Sequence, residues 1–184
     1  MEPVERTNLC NLLVKEFEKL KDEQRARIDF RDKMIFVTLG AIGTVFSFVI
    51  EKPDYFKLLL VIPLICIILG WTYLINDEKI SALGRYFRTD FINQFEKLNG
   101  NTDLVLIKNW EEFQRKDVRR RGRKKIQLLI DLFMFCISAL SCLAVFLFLD
   151  NQISTIKILV VVCETILILM LAYQFIKYSS INEK

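Results

Sequence analysis

Four long apolar runs, at positions 34–50, 57–75, 126–149 and 153–176, alternate with segments dense in charge. Their lengths of 17, 19, 24 and 24 residues match the roughly 20 residues a helix needs to cross a hydrocarbon core about 30 Å thick. A soluble amphipathic helix or half-buried strand interleaves apolar and polar residues at a period of 3.6 or 2. Here the two populations are segregated instead. The pattern predicts an all-α integral membrane protein with four transmembrane helices. The first run is at the short limit, and its helix is expected to extend back into "RDK" at 31–33.

The segments between the runs carry helical patterns of their own. In 1–33, Leu9, Leu13, Phe17 and Leu20 form one stripe among charged positions, with no Gly or Pro to stop a helix before the first span. "RIDFRD" at 27–32 is either a solvated turn beside the membrane or a docking site for another subunit. In 76–125, Ile80, Leu83, Phe87, Phe91, Phe95 and Leu98 follow steps of three and four, an apolar stripe over five turns. Asp77 is placed near the start of that helix, where an acid suits the dipole, and "NGN" at 99–101 ends it. Leu104 to Ile107 is too short to classify by periodicity. The organisation predicted is a charged helix (1–33), a spanning hairpin (34–75), a helical segment ending in a basic block (76–125), a second hairpin (126–176) and a tail (177–184).

Composition adds direction. The chain is 53% hydrophobic and 26% charged with a net charge of +4, and 23 of its 26 basic residues lie in 1–33, 76–125 and 177–184. Lys and Arg resist translocation, so these three segments are expected in the cytoplasm. Two short turns, "EKPDYFK" and "DNQISTIK", are left outside. No signal-type apolar core occurs in the first 33 residues, so no cleaved signal is expected. There is no histidine, no CxxC spacing among the five cysteines, no Gly-rich phosphate loop and no nucleophile set beside a base. An enzyme, a metal site and a bound cofactor are therefore not expected.

Within the spans, Glu164 in "VVVCETILILM" lies near the middle of the fourth run. A charge there costs about 2.5–3.5 kcal/mol on insertion scales, and no Lys or Arg occupies the middle of any span. Three roles are open. A protonated carboxyl could join helices by bonding Ser138, Ser141 or Thr44. Carboxylates of several subunits could ring a wet, cation-selective path. The third role is a proton relay. Asp131, about a turn into the third span, forms an inner ring or makes contacts near the headgroups. Gly40, Thr44 and Ser47 share one face of the first span, the small-xxx-small spacing that lets helices approach closely.

In the cytoplasmic segments, the Phe87–Phe91–Phe95 stripe must be buried against the leading helix, a second copy or a partner. Arg115, Lys116, Arg119, Arg120, Arg121, Arg123, Lys124 and Lys125 crowd the start of the third span. Such a block holds the span's inner end inside, attracts anionic lipid, or binds a nucleotide or nucleic acid through the same field. No nucleic-acid-binding module accompanies it.

The runs "EQRARIDFRDKMIFVTLGAIGTVFSFVIEKP", "GWTYLINDEKISALGRY" and "WEEF…RRRGRKKIQLLIDLFMF" resemble a family of small bacterial multi-span integral membrane proteins over residues 20–135. The layout of a charged helix, a spanning hairpin and a cytoplasmic helix is also similar to membrane effectors found beside nucleotide-signalling, retron and CRISPR phage-defence genes. What the resemblance implies is an oligomeric inner-membrane effector, a regulated channel or membrane-perturbing protein of antiviral defence. Its partners would be the membrane, copies of itself and a cytoplasmic defence protein or nucleotide signal. The alternative is a non-conducting scaffold or sensor that recruits a cytoplasmic protein.

The charge asymmetry generates a direct test. Reporter fusions at Lys184 and within residues 99–101 should both report cytoplasm, and an external signal from either would overturn the threading.

Overall fold

The computed structural model describes residues 3–99, 119–150 and 154–181. Helix α1 (Pro3–Glu51) runs 49 residues without a break. A 3₁₀ segment, Pro53–Leu60, then leads into α2 (Val61–Tyr86). A π-helical turn at Phe87–Phe91 joins α2 to α3 (Ile92–Asn99). After residues 100–118, α4 (Arg120–Leu132), a second π-turn (Phe133–Ile137) and α5 (Ser138–Leu149) make one continuous helical rod, followed by α6 (Thr155–Ile181). No strand occurs among the described residues. Four helical stretches are long and apolar enough to cross a membrane: Val4–Glu51, Pro53–Phe95, Gly122–Leu149 and Thr155–Ser179. The protein is an all-α, four-span membrane protein. An even number of crossings returns both outer ends of the spanning set, and the segment between its two hairpins, to one side.

Large apolar side chains cover the outward faces of the spans. Phe36, Phe48, Leu129, Phe133, Phe148, Ile156 and Leu159 are all more than half exposed, a surface that water would not tolerate at this extent and hydrocarbon does.

The chain divides into two compact units, Met1–Phe30 with Asn76–Arg120, and Arg31–Ile75 with Arg121–Lys184. In the first, Phe87 and Phe91 are 2% and 3% exposed and pack with Leu13, Phe17 and Leu20 of α1. The Phe17 ring stands 5.3 Å from Phe87 and 5.2 Å from Phe91, while the Lys21 ammonium sits 4.2 Å over the Phe87 ring, a cation–π contact. Asn76 fastens the same helices: its Nδ2 donates to the Arg27 carbonyl at 2.6 Å. The Tyr86 hydroxyl donates to Glu16 at 2.9 Å, and that carboxylate pushes the phenol above its ordinary range.

Of the three coverings open to the phenylalanine stripe the leading helix is the one observed, and the reading of Asp77 needs correction. The stripe at Phe87 and Phe91 is taken up by the chain's own leading helix, so those rings offer no face to a second copy or a partner; Phe95 stays half-buried, packed against the same cluster. Asp77 does not open a helix, because α2 runs through it. Nothing between Tyr73 and Ser81 breaks a helix, so the second span continues into the charged segment. The Leu98 side chain and residues 104–107 lie outside the described part.

The core of the second unit is built mainly by the second, third and fourth spans. Leu59, Ile62, Cys66, Tyr73, Phe135, Ala139, Cys142, Phe146, Ile168 and Leu171 are each at most 2% exposed. The first span is peripheral, with 6% of its most apolar stretch buried against 39% for the second. Met34, Ile42, Val45 and Val49 touch the core, and Thr38 is fully buried. At 100° per residue, Gly40, Gly43, Thr44 and Ser47 centre about 180° away from that stripe. A Cβ on Gly40 or Gly43 would meet nothing within 4 Å. The small face is therefore not used for close approach within the chain. Gly70 is the glycine that fills that role. A Cβ there would stand 2.8 Å from Leu171 Cδ2 and 3.1 Å from Phe135 Cβ, so only a bare Cα lets α2 reach both neighbouring spans.

Gly70→Ala should accordingly lower the stability of the detergent-solubilised protein by about 1–3 kcal/mol, the usual cost of overpacking. Gly40→Ala, measured on the monomeric fraction, should stay within about 0.5 kcal/mol. A thermal melt of the two variants beside the native chain reads the difference, and equal melting would refute the assignment.

Candidate intramembrane site

Helix α6 buries Val161, Glu164, Ile168, Leu171 and Phe175, at steps of three and four that place all five on one face. Glu164 is thus turned inward, 3% exposed, on the stripe that supplies the apolar core. Neither carboxylate oxygen has a hydrogen-bond partner. A buried polar group without a partner costs several kcal/mol in an apolar medium, so packing gives no reason for a carboxylate here.

The hydroxyls expected to meet it are occupied elsewhere. Thr44 donates to the Gly40 carbonyl at 2.8 Å and Ser141 to Ile137 at 2.8 Å. Ser138 donates to Met134 and approaches Cys66 Sγ at 3.9 Å. Each satisfies itself on its own helix four residues back, a common outcome for hydroxyls within helices. Glu164 bonds none of them, so the bonded-glue role is absent among the described residues. The ring between subunits also needs restating: it would put the carboxylate on the outer face of α6, and the helix presents it to the inner one.

Two polar groupings flank Glu164 along the bundle. Near the turn between α5 and α6, Lys157 Nζ donates to Asp150 Oδ2 at 2.6 Å, the two side chains being 27% and 5% exposed. This clasp closes the hairpin about 10 Å from Glu164, seven residues at 1.5 Å each. Toward the other end, Gln127 Nε2 donates both to the Tyr73 hydroxyl at 2.8 Å and to Asp131 Oδ1 at 2.9 Å. Asp131 is 7% exposed, turned into the bundle. Between this node and Glu164 stand three rings from three different spans. Tyr73 and Phe135 are 5.3 Å apart, Phe135 and Phe175 stack at 6.0 Å with planes 11° apart, and Tyr73 lies 6.2 Å from Phe175. Phe135 belongs to the π-turn, a backbone irregularity common at functional sites.

Sequence reading singled out Glu164 and Asp131 but missed Gln127, Tyr73 and the Asp150–Lys157 pair. A charge pair seven residues apart across a turn was a usable signal for the last; nothing in the sequence ties Tyr73 to a residue 54 positions away. In the basic block, Arg119, Arg123 and Lys125 are exposed and Lys124 half-buried. Arg115 and Lys116, with the side chains of Arg120 and Arg121, lie outside the described part. None of the five cysteines forms a disulfide, and no group of His, Cys, Asp and Glu among the described residues is arranged to hold a metal ion.

Compared with protein-family models, curated proteins and solved structures, the chain matches none.

The clasp can be tested separately from Glu164. Lys157→Met leaves Asp150 buried without its cation and should cost about 1–3 kcal/mol. The exchanged pair Asp150→Lys with Lys157→Asp should recover part of that loss in the same thermal melt. No difference between the single and the exchanged variants would show that the pair contributes nothing.

Proposed function

We propose that this protein is an effector of the bacterial inner membrane that passes cations, and so depolarises the cell, when triggered during antiviral defence. The observation that carries the reading is the pair of partnerless, buried Glu164 oxygens. Ionisable groups inside spanning segments mark ion or proton pathways by default, and here no structural bond explains the group. The setting rests on the layout resemblance to phage-defence effectors. The path runs inside each chain's own bundle, past Glu164, because that is the side on which the carboxylate lies. Copies assemble through the open Gly40–Thr44–Ser47 face of α1, which the chain's own core leaves free. The scaffold alternative is weakened by the burial of Phe87 and Phe91, the apolar face it would have used for recruitment.

The test compares the native chain with Glu164→Gln, which keeps size and hydrogen-bonding capacity but removes the ionisable group. Both are carried in bacterial cells with the native flanking genes and challenged with phage, so that the trigger is present. A potential-sensitive dye should report depolarisation for the native chain and at least a tenfold smaller signal for Glu164→Gln at equal membrane abundance. Equal signals would remove Glu164 from the path. Absence of depolarisation in both would overturn conduction and leave the scaffold.

A further inference from the structure

We propose that the Tyr73, Phe135 and Phe175 rings form a closed aromatic constriction that seals Glu164 from the cytoplasmic side, held shut by the Gln127–Asp131 node. The proposal rests on Glu164 being a path residue and adds how that path is regulated.

Four observations converge on it. Each ring comes from a different span, and all three are at most 3% exposed, so together they fill the bundle's cross-section where the second, third and fourth spans meet. The order along the chain places them between the two acids. On the third rod Asp131 is followed one turn later by Phe135, and on α6 Phe175 lies eleven residues from Glu164, about 16 Å at 1.5 Å per residue. Gly70 brings α2 into contact with Leu171 and Phe135 directly beside the rings, removing the space that water would need. Finally, the Tyr73 hydroxyl accepts from the same Gln127 nitrogen that donates to Asp131. The constriction is thereby coupled to a polar group at its cytoplasmic edge.

An apolar constriction of this kind gates by excluding water, and a small change in ring packing is enough to wet it. The π-turn supplies the means. Its wider backbone turn sits at Phe133–Ile137, and relaxing it to ordinary α-geometry would rotate Phe135 relative to the residues before and after. A trigger that pulls Gln127 from Tyr73 would release one ring of the three.

Water access can be read without any ion flow. Glu164→Cys, made in the full chain, is exposed in inverted membrane vesicles to a charged, membrane-impermeant thiol reagent, and labelling at position 164 is followed by peptide mass mapping. Cys163 adjoins position 164 on the same peptide, so it is replaced by Ala in every variant, and the mapping then separates position 164 from the other four native thiols. In the otherwise native chain labelling should be slow. Adding Phe135→Ala should speed it at least tenfold, and Phe175→Leu or Gln127→Ala should speed it less. The two milder variants carry the test if Phe135→Ala fails to elute at the native size. Fast labelling in the native background, or equal rates in every well-folded variant, would overturn the constriction. The outcome is separable from that of the depolarisation experiment: accelerated labelling with no effect of Glu164→Gln on depolarisation keeps the seal and removes the ion path, while the converse removes the seal alone.

Discussion

The hydrocarbon core offers no water to hydrogen-bond, and most of this structure is a response to that lack. Backbone groups there must be satisfied within each segment, which makes helices of all four spans. The same pressure acts on side chains. Thr38, Thr44, Ser47, Thr72, Ser138, Ser141 and Thr165 each return their hydroxyl to a carbonyl four residues back. Asp150 is met by Lys157, and Asp131 by Gln127. Against this consistent satisfaction, the two bare oxygens of Glu164 stand out as a cost that folding alone would have removed, since a leucine at that position would extend the apolar stripe of α6.

How far the sequence leads depends on the range of the physics involved. Span number follows from the length and composition of each run taken singly, so it was legible. The burial of Phe87 and Phe91 followed from period, although period could not say that α1 rather than another copy would cover them. The small residues of the first span illustrate the limit. Gly40, Thr44 and Ser47 have the spacing of a close-packing motif, yet the chain turns the opposite face to its core. Gly70 has no small residue four positions to either side, with Cys66 before it and Leu74 after, and is nonetheless the point of closest approach. Motif spacing reports what a helix could accept, whereas Gly70 is defined by Leu171 and Phe135, 101 and 65 positions further along the chain. The same holds for Tyr73 and Gln127, whose pairing exists only once two hairpins have been packed together.

The continuity of α2 beyond the second span has a simple origin that reading by segments concealed. Hydropathy divides the chain at Asn76, but helix propensity does not respect that boundary, and a helix stops only where a breaker or a cap intervenes. Asp77 therefore lies within α2, and the change in composition marks a change of solvent rather than an end of structure. The first helix behaves the same way across residues 31–33. Solvent boundary and element boundary are independent quantities in this protein.

The distribution of polar groups along the spanning bundle supports an ordering of roles. The Asp150–Lys157 pair and the Gln127–Asp131–Tyr73 node each bring a donor to a buried acid, one near each end. Glu164 lies between them without a partner and more than one helical turn from either. An acid in that position gains nothing from the resting packing, and its full interaction energy becomes available only if water or a cation reaches it. The three rings beside the inner node are the proposed barrier to that arrival from one side. Their polar tether is made by Gln127, a neutral amide that can exchange partners at little cost, rather than by a charge pair. A seal held by a hydrogen bond of about 1 kcal/mol net is one that a modest binding energy elsewhere can release, and that suits the proposed path, which has to stay shut until it is triggered.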